Sequence, residues 1–506
     1  MAVSTSDRTD DPETTPLLSE SPIDVPTITA AKKLLVLTVC AVSILSVDFG
    51  SFLSVAPQTA IFEQIICRNH QEFRNSGNAT YDEDPCKSEA VQGELALILG
   101  YKDGFDVLPT ILLSLAYGVL SDHWGRKPVV YLAIVGSLLG ELWVRLVCAW
   151  SNVLPLRLIW VSSVWRIIGG GDQTMSSVLL NIVADVFSEE ERSTALFRLM
   201  SCVLVAEVLA TPVSAYLMTI NPWIPYILGY VVILVGYISV FFLPETLEYA
   251  KAKRLNRERG DNSTETTTRL GKQSTLQVLR HQLRDFTESI QFMWADSNVI
   301  WIVLVVFVSV FSRQSTAILL QYASKKFGWS IAQASLLISI RGIFGIVSFL
   351  VFMPALNFLA ARFLNLHGTF RDYLVSQGTG ILGIIGFALL GLAPSPGILI
   401  TALVIVSFSG GFSVATRSLA TSLVRPDHVG TLYSALAISQ SIGMFIAGPL
   451  FAYLFRFGMH LGNSWMGLPF LQAAVCFTFA TAAIWRIQIG RSVQNDEYGE
   501  QEPLIP

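Results

Sequence analysis

Asp48, Asp172 and Glu207, with Arg166, Arg313, Arg341 and Arg417, stand inside otherwise apolar stretches of a 506-residue chain. Ionisable groups in such surroundings are costly, and they mark a cavity, a partner or a pathway. Two chemistries suit these residue types. A carboxylate whose ionisation is governed by burial and by neighbouring cations can take up and release a proton, and Asp48, Asp172 and Glu207 are the candidates. Guanidinium groups stay charged and bind carboxylates or other oxyanions through paired hydrogen bonds. Arg166, Arg313, Arg341 and Arg417, with Gln173, are therefore the candidates for holding an organic solute, expected to be acidic or rich in acceptors. The membrane acids fall in the first half of the chain and the second half contributes arginines. That division predicts a cavity with one titrating face and one binding face. Glu141 and Arg145, four residues apart, read instead as a structural pair that satisfy each other along a helix.

The elements that must position these groups follow from composition. Hydrophobic residues make up 52% of the chain and charged residues 14%, a balance foreign to soluble domains. The apolar residues fall in continuous runs long enough to cross roughly 30 Å of hydrocarbon, without the alternation of barrel strands. An all-α polytopic membrane protein is predicted, with the lipid bilayer as its surroundings. Spans are expected at residues 34–62, 94–120, 129–150, 154–186, 196–219 and 223–243, then 297–322, 330–356, 375–393, 396–422, 430–457 and 464–487. The first run is too long for the core of a cleaved leader, so it is expected to remain as an anchor.

Twelve spans divide into two six-helix bundles, 34–243 and 297–487, joined by a polar linker, 244–296, and flanked by tails 1–33 and 488–506. "ATPVSAYL" (Ala210–Leu217) in the fifth span recurs as "AGPLFAYL" (Ala447–Leu454) in the eleventh, and the same register aligns Thr194 with Thr431. A duplicated six-plus-six architecture is inferred. Pro212 and Pro449, shared by the two copies, should bend their helices. Lys32, Lys33, Arg126, Lys127 and the basic stretch from Lys251 to Arg284 lie on one side, which the positive-inside rule makes cytoplasmic. The loop from Glu63 to Gln92 then faces outward, where Cys67 and Cys86 can form a disulfide and Asn78-Ala79-Thr80 can accept a glycan. The other four cysteines lie in spans and read as small apolar residues.

"YGVLSDHWGRKP" (Tyr117–Pro128) sets two cations, an acid and a histidine in the short turn between the second and third spans. Gly118 and Gly125 suit a tight bend and close approach, and Asp122 can cap a helix starting at the cytoplasmic face, such as the eleventh span near Gly430. With Leu120, Ser121, Arg126 and Lys127 in order, this turn resembles the loop signature of the major facilitator superfamily. "IICRNH" and the run "QGELALILGYKDGFDVLPTILLSLAYGVLSD" resemble a fungal branch of it, distantly similar to tetracycline effluxers and the proton-coupled folate transporter. The resemblance implies that Asp122 helps lock the cytoplasmic side and that Arg126 pairs with an acid ending the fourth span. "ADVFSEEER" offers Asp185 there, with Arg192 further along. "RIIGGGDQT" (Arg166–Thr174) resembles the superfamily's Arg-then-Gly motif, its glycines permitting either close packing or unwinding. The fifth span departs from the Gly-Pro-centred antiporter motif and keeps only the proline; "PET" at Pro244–Thr246 reads as a helix stop.

No phosphate-cradling loop and no metal-ligand spacing of the six histidines is found, so ATP-driven transport, a metal, a cofactor and an enzymatic role are not expected. Nothing points to nucleic acid. The reading is secondary active transport of a small organic solute by a monomer, with protons as the coupling ion, and export of a drug-like compound or secondary metabolite is favoured. Uptake of a nutrient or vitamin-like anion through the same fold is the alternative, and a non-transporting sensor or scaffold is the third. Plasma membrane is the expected location, although "ETTPLL" and "EQEPLI" in the tails resemble acidic dileucine signals for vacuoles or endosomes.

Overall fold

A backbone in hydrocarbon must satisfy its amides internally, and the computed structural model does so with helices. It describes residues 29–74, 85–249, 297–363, 368–424 and 429–486, and among them there is no strand. In chain order the helices of the first half are α1 (Ala30–Arg74), α2 (Glu89–Trp124), α3 (Arg126–Ala149), α4 (Ser162–Trp165), α5 (Gly171–Val186), α6 (Glu189–Met218) and α7 (Trp223–Ser239). Those of the second are α8 (Ser297–Ser315), α9 (Leu319–Phe327), α10 (Ile331–Val347), α11 (Met353–Phe363), α12 (Gly368–Leu392), α13 (Pro396–Phe408), α14 (Gly411–Leu423), α15 (Val429–His460) and α16 (Leu468–Arg486). Taken with their breaks, α4 and α5, α8 and α9, α10 and α11, and α13 and α14 each form one traverse, which gives six traverses per half.

Among the described residues nine helical segments are long and apolar enough to cross a bilayer, ten if α2 is taken as one bent span. The fourth and seventh traverses fall short, with apolar stretches of only Leu156–Trp165 and Ile300–Val310. The first is followed by Arg166 and three glycines, the second by Arg313 and Gln314. Interruption of the apolar pattern thus coincides with the polar middle of the molecule.

Within the first half α1 packs on α6 and α7, and α3 on α5; within the second, α12 packs on α13, α14 and α16, and α8 on α15 and α16. The halves meet along α2 with α15 and along α6 with α10. The repeated octapeptides lie in α6 and α15, so each copy belongs to one of the two cross-half contacts. Both helices continue through their prolines, Pro212 and Pro449. Large apolar side chains such as Tyr216, Phe242 and Phe479 are exposed, as a lipid-facing surface requires.

The first half has two apolar cores rather than one. Val36, Val130, Ile182, Ile233 and Leu243 form the core near the basic-loop end, and Ile61, Phe62, Leu95, Val144 and Tyr226 form the core near the disulfide end. Residues 102–110 of α2, Glu141 of α3 and the α4–α5 break lie between them. That intervening layer holds the charges.

Candidate functional site

The fourth traverse is discontinuous because Gly169, Gly170 and Gly171 all take positive φ, 89°, 77° and 81°. Such conformations are strained for any residue with a Cβ. Of the two readings of "GGG", unwinding is what forms, and close packing accompanies it: a Cβ on Gly170 would lie 2.7 Å from the Tyr117 ring. The freed carbonyls find donors. Thr110 donates to the Gly170 carbonyl at 3.0 Å and Tyr117 to that of Ile167 at 3.0 Å, as backbone away from water demands. The break places Arg166 and Asp172 at mid-layer.

Arg166, with its side chain only 8% exposed, is the hub. It pairs with Asp172, with Glu141 at 3.2 Å and with Asp106 at 3.5 Å. Lys102 pairs with Asp106 at 2.9 Å, and Arg145 with Glu141 at 2.7 Å. The anticipated Glu141–Arg145 pair therefore forms, but Glu141 is shared with Arg166. Arg145 also donates to the Tyr226 carbonyl and lies over the Tyr226 and Tyr230 rings at 4.3 and 4.9 Å. Ser137 donates to Asp172 at 3.0 Å and Ser162 to Asp106 at 3.3 Å. With so many partners the enclosed members of this group are compensated, which is the condition for keeping them in a low-dielectric interior, while Asp172 is 55% exposed.

Beside the network a cavity of about 240 Å³ opens between the halves. The first half lines it with Ser51, Gln58, Thr59, Lys102, Asp103 and Glu141, and the second with Gln314, Ile318, Gln321 and Phe451. Gln314 donates across the gap to Asp103 at 3.0 Å. Gln321 is buried, and its side-chain carbonyl has no hydrogen-bond partner among the described residues. Lys102, Asp103 and Asp106 went unread in the sequence, although three charges in "YKDGFD" inside a membrane span are themselves the signal.

The candidate solute-binding residues are distributed otherwise than the sequence suggests. Arg166 belongs to the ionic network. Arg341 is held by Glu207 at 2.5 Å across the α6–α10 contact, and its other terminal nitrogen donates to Thr316 at 3.4 Å. Gln173 and Arg417 are exposed and do not line the cavity. The side chain of Arg313 lies outside what is described. The polar side chains that the second half presents to the cavity are the amides of Gln314 and Gln321, and among the described residues no arginine of that half lines it. Asp48 is half-buried on α1 and within electrostatic reach of Asp172.

At the basic-loop end, Arg126 pairs with Asp122 at 2.6 Å and with Asp185 at 3.3 Å, and its guanidinium also donates to Ser121 at 2.7 Å. Glu245 of "PET" does more than stop a helix. Its carboxylate accepts from the backbone N–H groups of Arg126 at 2.9 Å and Lys127 at 3.1 Å, capping the start of α3. Gly125, at φ 114°, makes room for it, since a Cβ there would lie 2.6 Å from Glu245. Lys127 donates to the Phe241 carbonyl at 2.9 Å. Gly118 differs from expectation: α2 runs through it unbroken, and a Cβ there would meet nothing within 4 Å. Arg192 is exposed and stands apart from the Arg126 cluster. The helix start near Gly430 that Asp122 was expected to cap adjoins residues 425–428, outside the described set.

At the opposite end Cys67 and Cys86 form a disulfide, with a Cα–Cα separation of 4.9 Å. Next to it in sequence, Lys87 donates at 2.5 Å both to Glu63 on α1 and to Ser324 on α9, a further tie across the halves. Gln92 also reaches Glu63, at 2.5 Å. Asn78 lies outside the described residues. Among the described residues no group of His, Cys, Asp and Glu could hold a metal ion.

Comparisons with known proteins agree with this geometry. Residues 97–448 match the profile of the Major Facilitator Superfamily. The chain is 34% identical over 478 residues to the MFS-type transporter avaK of Aspergillus versicolor, covering 94% of this chain and 97% of that one. It is likewise 34% identical over 481 residues to the MFS efflux pump atnC of Emericella nidulans, covering 93% and 91%. The crystal structure of the human organic anion transporter MFSD10 shares the fold, with a TM-score of 0.54 at 17% identity over 89% of this chain and 99% of that one. Twelve helical traverses, a layer of charge between two apolar cores and these similarities converge on one assignment: the chain belongs to the Major Facilitator Superfamily, as a membrane transporter similar to fungal members.

Proposed function

We propose that this transporter exports a small organic solute, exchanging it for protons as its halves rock about the cavity between them. The observation that carries the reading is the mid-depth layer, where carboxylates face a cavity walled by both halves. Acids facing such a cavity are what proton exchange requires. Export is supported by the efflux pump to which the chain is similar. The solute that fits the walls carries hydrogen-bond donors and acceptors on an apolar frame, because Gln58, Gln314 and Gln321 face Ile318 and Phe451.

In this reading the basic-loop end is cytoplasmic. The Arg126 cluster, with Asp122, Asp185 and Glu245, is the latch of that face. The Lys87 bridge belongs to the outer face, where Asn78 is available to a glycan. The protein works as a monomer in the plasma membrane.

The test is flux in inside-out vesicles with an imposed acid interior, using a panel of radiolabelled neutral amides and aromatic acids. Export predicts accumulation that a protonophore abolishes. Accumulation only in right-side-out vesicles with acid outside would instead establish uptake, and the absence of flux across the panel would favour a sensor or scaffold.

A further inference from the structure

We propose that Asp103 is the carboxylate that carries the transported proton, and that Gln314 reports its protonation to the second half. The inference rests on proton-coupled transport and adds the residue through which the halves register the proton.

Pairing within the charged layer singles Asp103 out. Among the described side chains, the cations of the layer are Lys102, Arg145 and Arg166, and its carboxylates are Asp103, Asp106, Glu141 and Asp172. Lys102 pairs with Asp106, Arg145 with Glu141, and Arg166 with Asp172, Glu141 and Asp106. Among these described groups Asp103 is the carboxylate that no ion pair holds. Its direct hydrogen bond is to a neutral amide, and it opens onto the cavity. Of the other membrane acids, Glu207 is held by Arg341, and Asp48 is not among the residues lining the cavity.

The surroundings of Asp103 come from every element packed on this part of α2. Lys102 and Asp106 stand beside it on α2 itself, and Arg166 reaches in from the break. α3 brings Glu141 and Arg145, and α5 brings Asp172. α1 presents Gln58 and Thr59, and α15 presents Phe445, Gly448 and Pro449, none of them titratable. α8 brings Gln314, next in sequence to Arg313.

The chemical step is small. A proton from one aqueous side adds to the carboxylate of Asp103 and leaves to the other side, with no other bond made or broken. While Asp103 is ionised, the Gln314 amide donates to a charged acceptor, the stronger class of hydrogen bond. Protonation turns it into a neutral contact. The tie between α2 and α8 weakens, and the balance between the two facing states moves.

The experiment is distance measurement by electron paramagnetic resonance on the full chain in lipid nanodiscs. Spin labels are placed at exposed Val153 and Leu461, with Cys40, Cys148, Cys202 and Cys476 replaced and the disulfide kept. Between about pH 5.5 and about pH 8 the ratio of near to far populations is expected to change roughly tenfold, the scale of one charge-assisted hydrogen bond. Asp103→Asn should show the acid distribution at both pH values, and Asp48→Asn should respond as the parent does. Gln314→Leu keeps the carboxylate and removes the link, so it too should lose the response; it serves where Asp103→Asn does not fold. A parent that responds while Asp103→Asn or Gln314→Leu responds equally overturns the proposal alone. A parent with no pH response overturns proton coupling, and the proposal with it.

Discussion

The two helix crossings that join the halves, α2 on α15 and α6 on α10, hold by different means. Where α2 crosses α15, Gly100 and Gly448 bring backbone against backbone: a Cβ on Gly100 would lie 2.5 Å from the Gly448 carbonyl, and a Cβ on Gly448 would meet the Gly100 carbonyl still closer. Where α6 crosses α10, Glu207 and Arg341 form an ion pair, with side-chain exposures of 9% and 34%. The octapeptide register sets Thr211 of α6 against Gly448 of α15, so the fifth traverse carries a threonine where the eleventh carries a glycine. A glycine contact is a bearing surface whose energy depends on shape and vanishes with small displacement. An ion pair reaches further and answers to charge. If the halves rock as proposed, one contact can serve as the bearing while the other responds to charge.

The largest effect is expected at the glycine contact, and its sign in combination separates it from the ionic one. Gly100→Ala and Gly448→Ala each push a methyl into the opposing carbonyl, which should destabilise the packing of α2 on α15 by about 1–3 kcal/mol. The double variant, with both methyls, should be the worst of the three. Labelling of a Ser51→Cys reporter, in the cavity wall, by an impermeant thiol reagent from outside measures this; it should rise at least roughly tenfold in the double variant, one decade per 1.4 kcal/mol.

At the ionic contact the order reverses. Arg341→Leu leaves Glu207 buried and unpaired, which should cost about 1–3 kcal/mol, less than a fully enclosed pair because Arg341 is a third exposed. Glu207→Leu/Arg341→Leu should recover most of that loss. Thermal unfolding in detergent checks it: a double variant less stable than Arg341→Leu alone would mean that the pair acts by shape, as the glycines do.

A smaller effect is expected at Lys87, which bridges Glu63 and Ser324 beyond the end of the glycine contact. Lys87→Met should raise outside labelling of the Ser51→Cys reporter about threefold: the Lys87 and Glu63 side chains are only 18% and 11% exposed, but Gln92 still donates to the Glu63 carboxylate once the ammonium is gone. Reduction of Cys67–Cys86 should act in the same direction, since Cys86 is next in sequence to Lys87. Reduction that changes labelling in Lys87→Met as much as in the parent would separate the disulfide from the bridge.

The glycine contact and the charged layer differ as well in how far the sequence announced them. Span lengths, the duplicated octapeptide and the proximity of Cys67 and Cys86 could be read because each is a local pattern governed by hydrocarbon thickness, helix repeat or loop length. Arg126 and Asp185 could be matched because the turn motif narrows the choice. The role of Glu245 could not: it lies 119 residues from Arg126, and a carboxylate after a helix looks the same whether or not it caps another. Lys102, Asp103 and Asp106 were in view but were overlooked, because the run around them is apolar enough to pass as an ordinary span. Which cation serves which carboxylate depends on the unwound glycines bringing α4 and α5 to α2 and α3, and that geometry is encoded in φ values rather than in spacing. Gly100 facing Gly448 was beyond reach for the same reason: small residues occur throughout membrane helices, and only the crossing selects two of them.

The smallest effect is expected beside the glycine contact, at Glu89 and His460, which pair across the halves at 3.4 Å with side-chain exposures of 42% and 72%. Position alone would make this pair look like part of the outer closure. Its exposure argues otherwise, since water and salt screen a pair of this kind to within about 0.5 kcal/mol of nothing. His460→Gln should therefore leave outside labelling of the Ser51→Cys reporter unchanged, even in low salt. If it raised labelling as much as Gly100→Ala does, the outer face would be held by surface charge, and the contrast between a bearing on one side and a switch on the other would have to be abandoned.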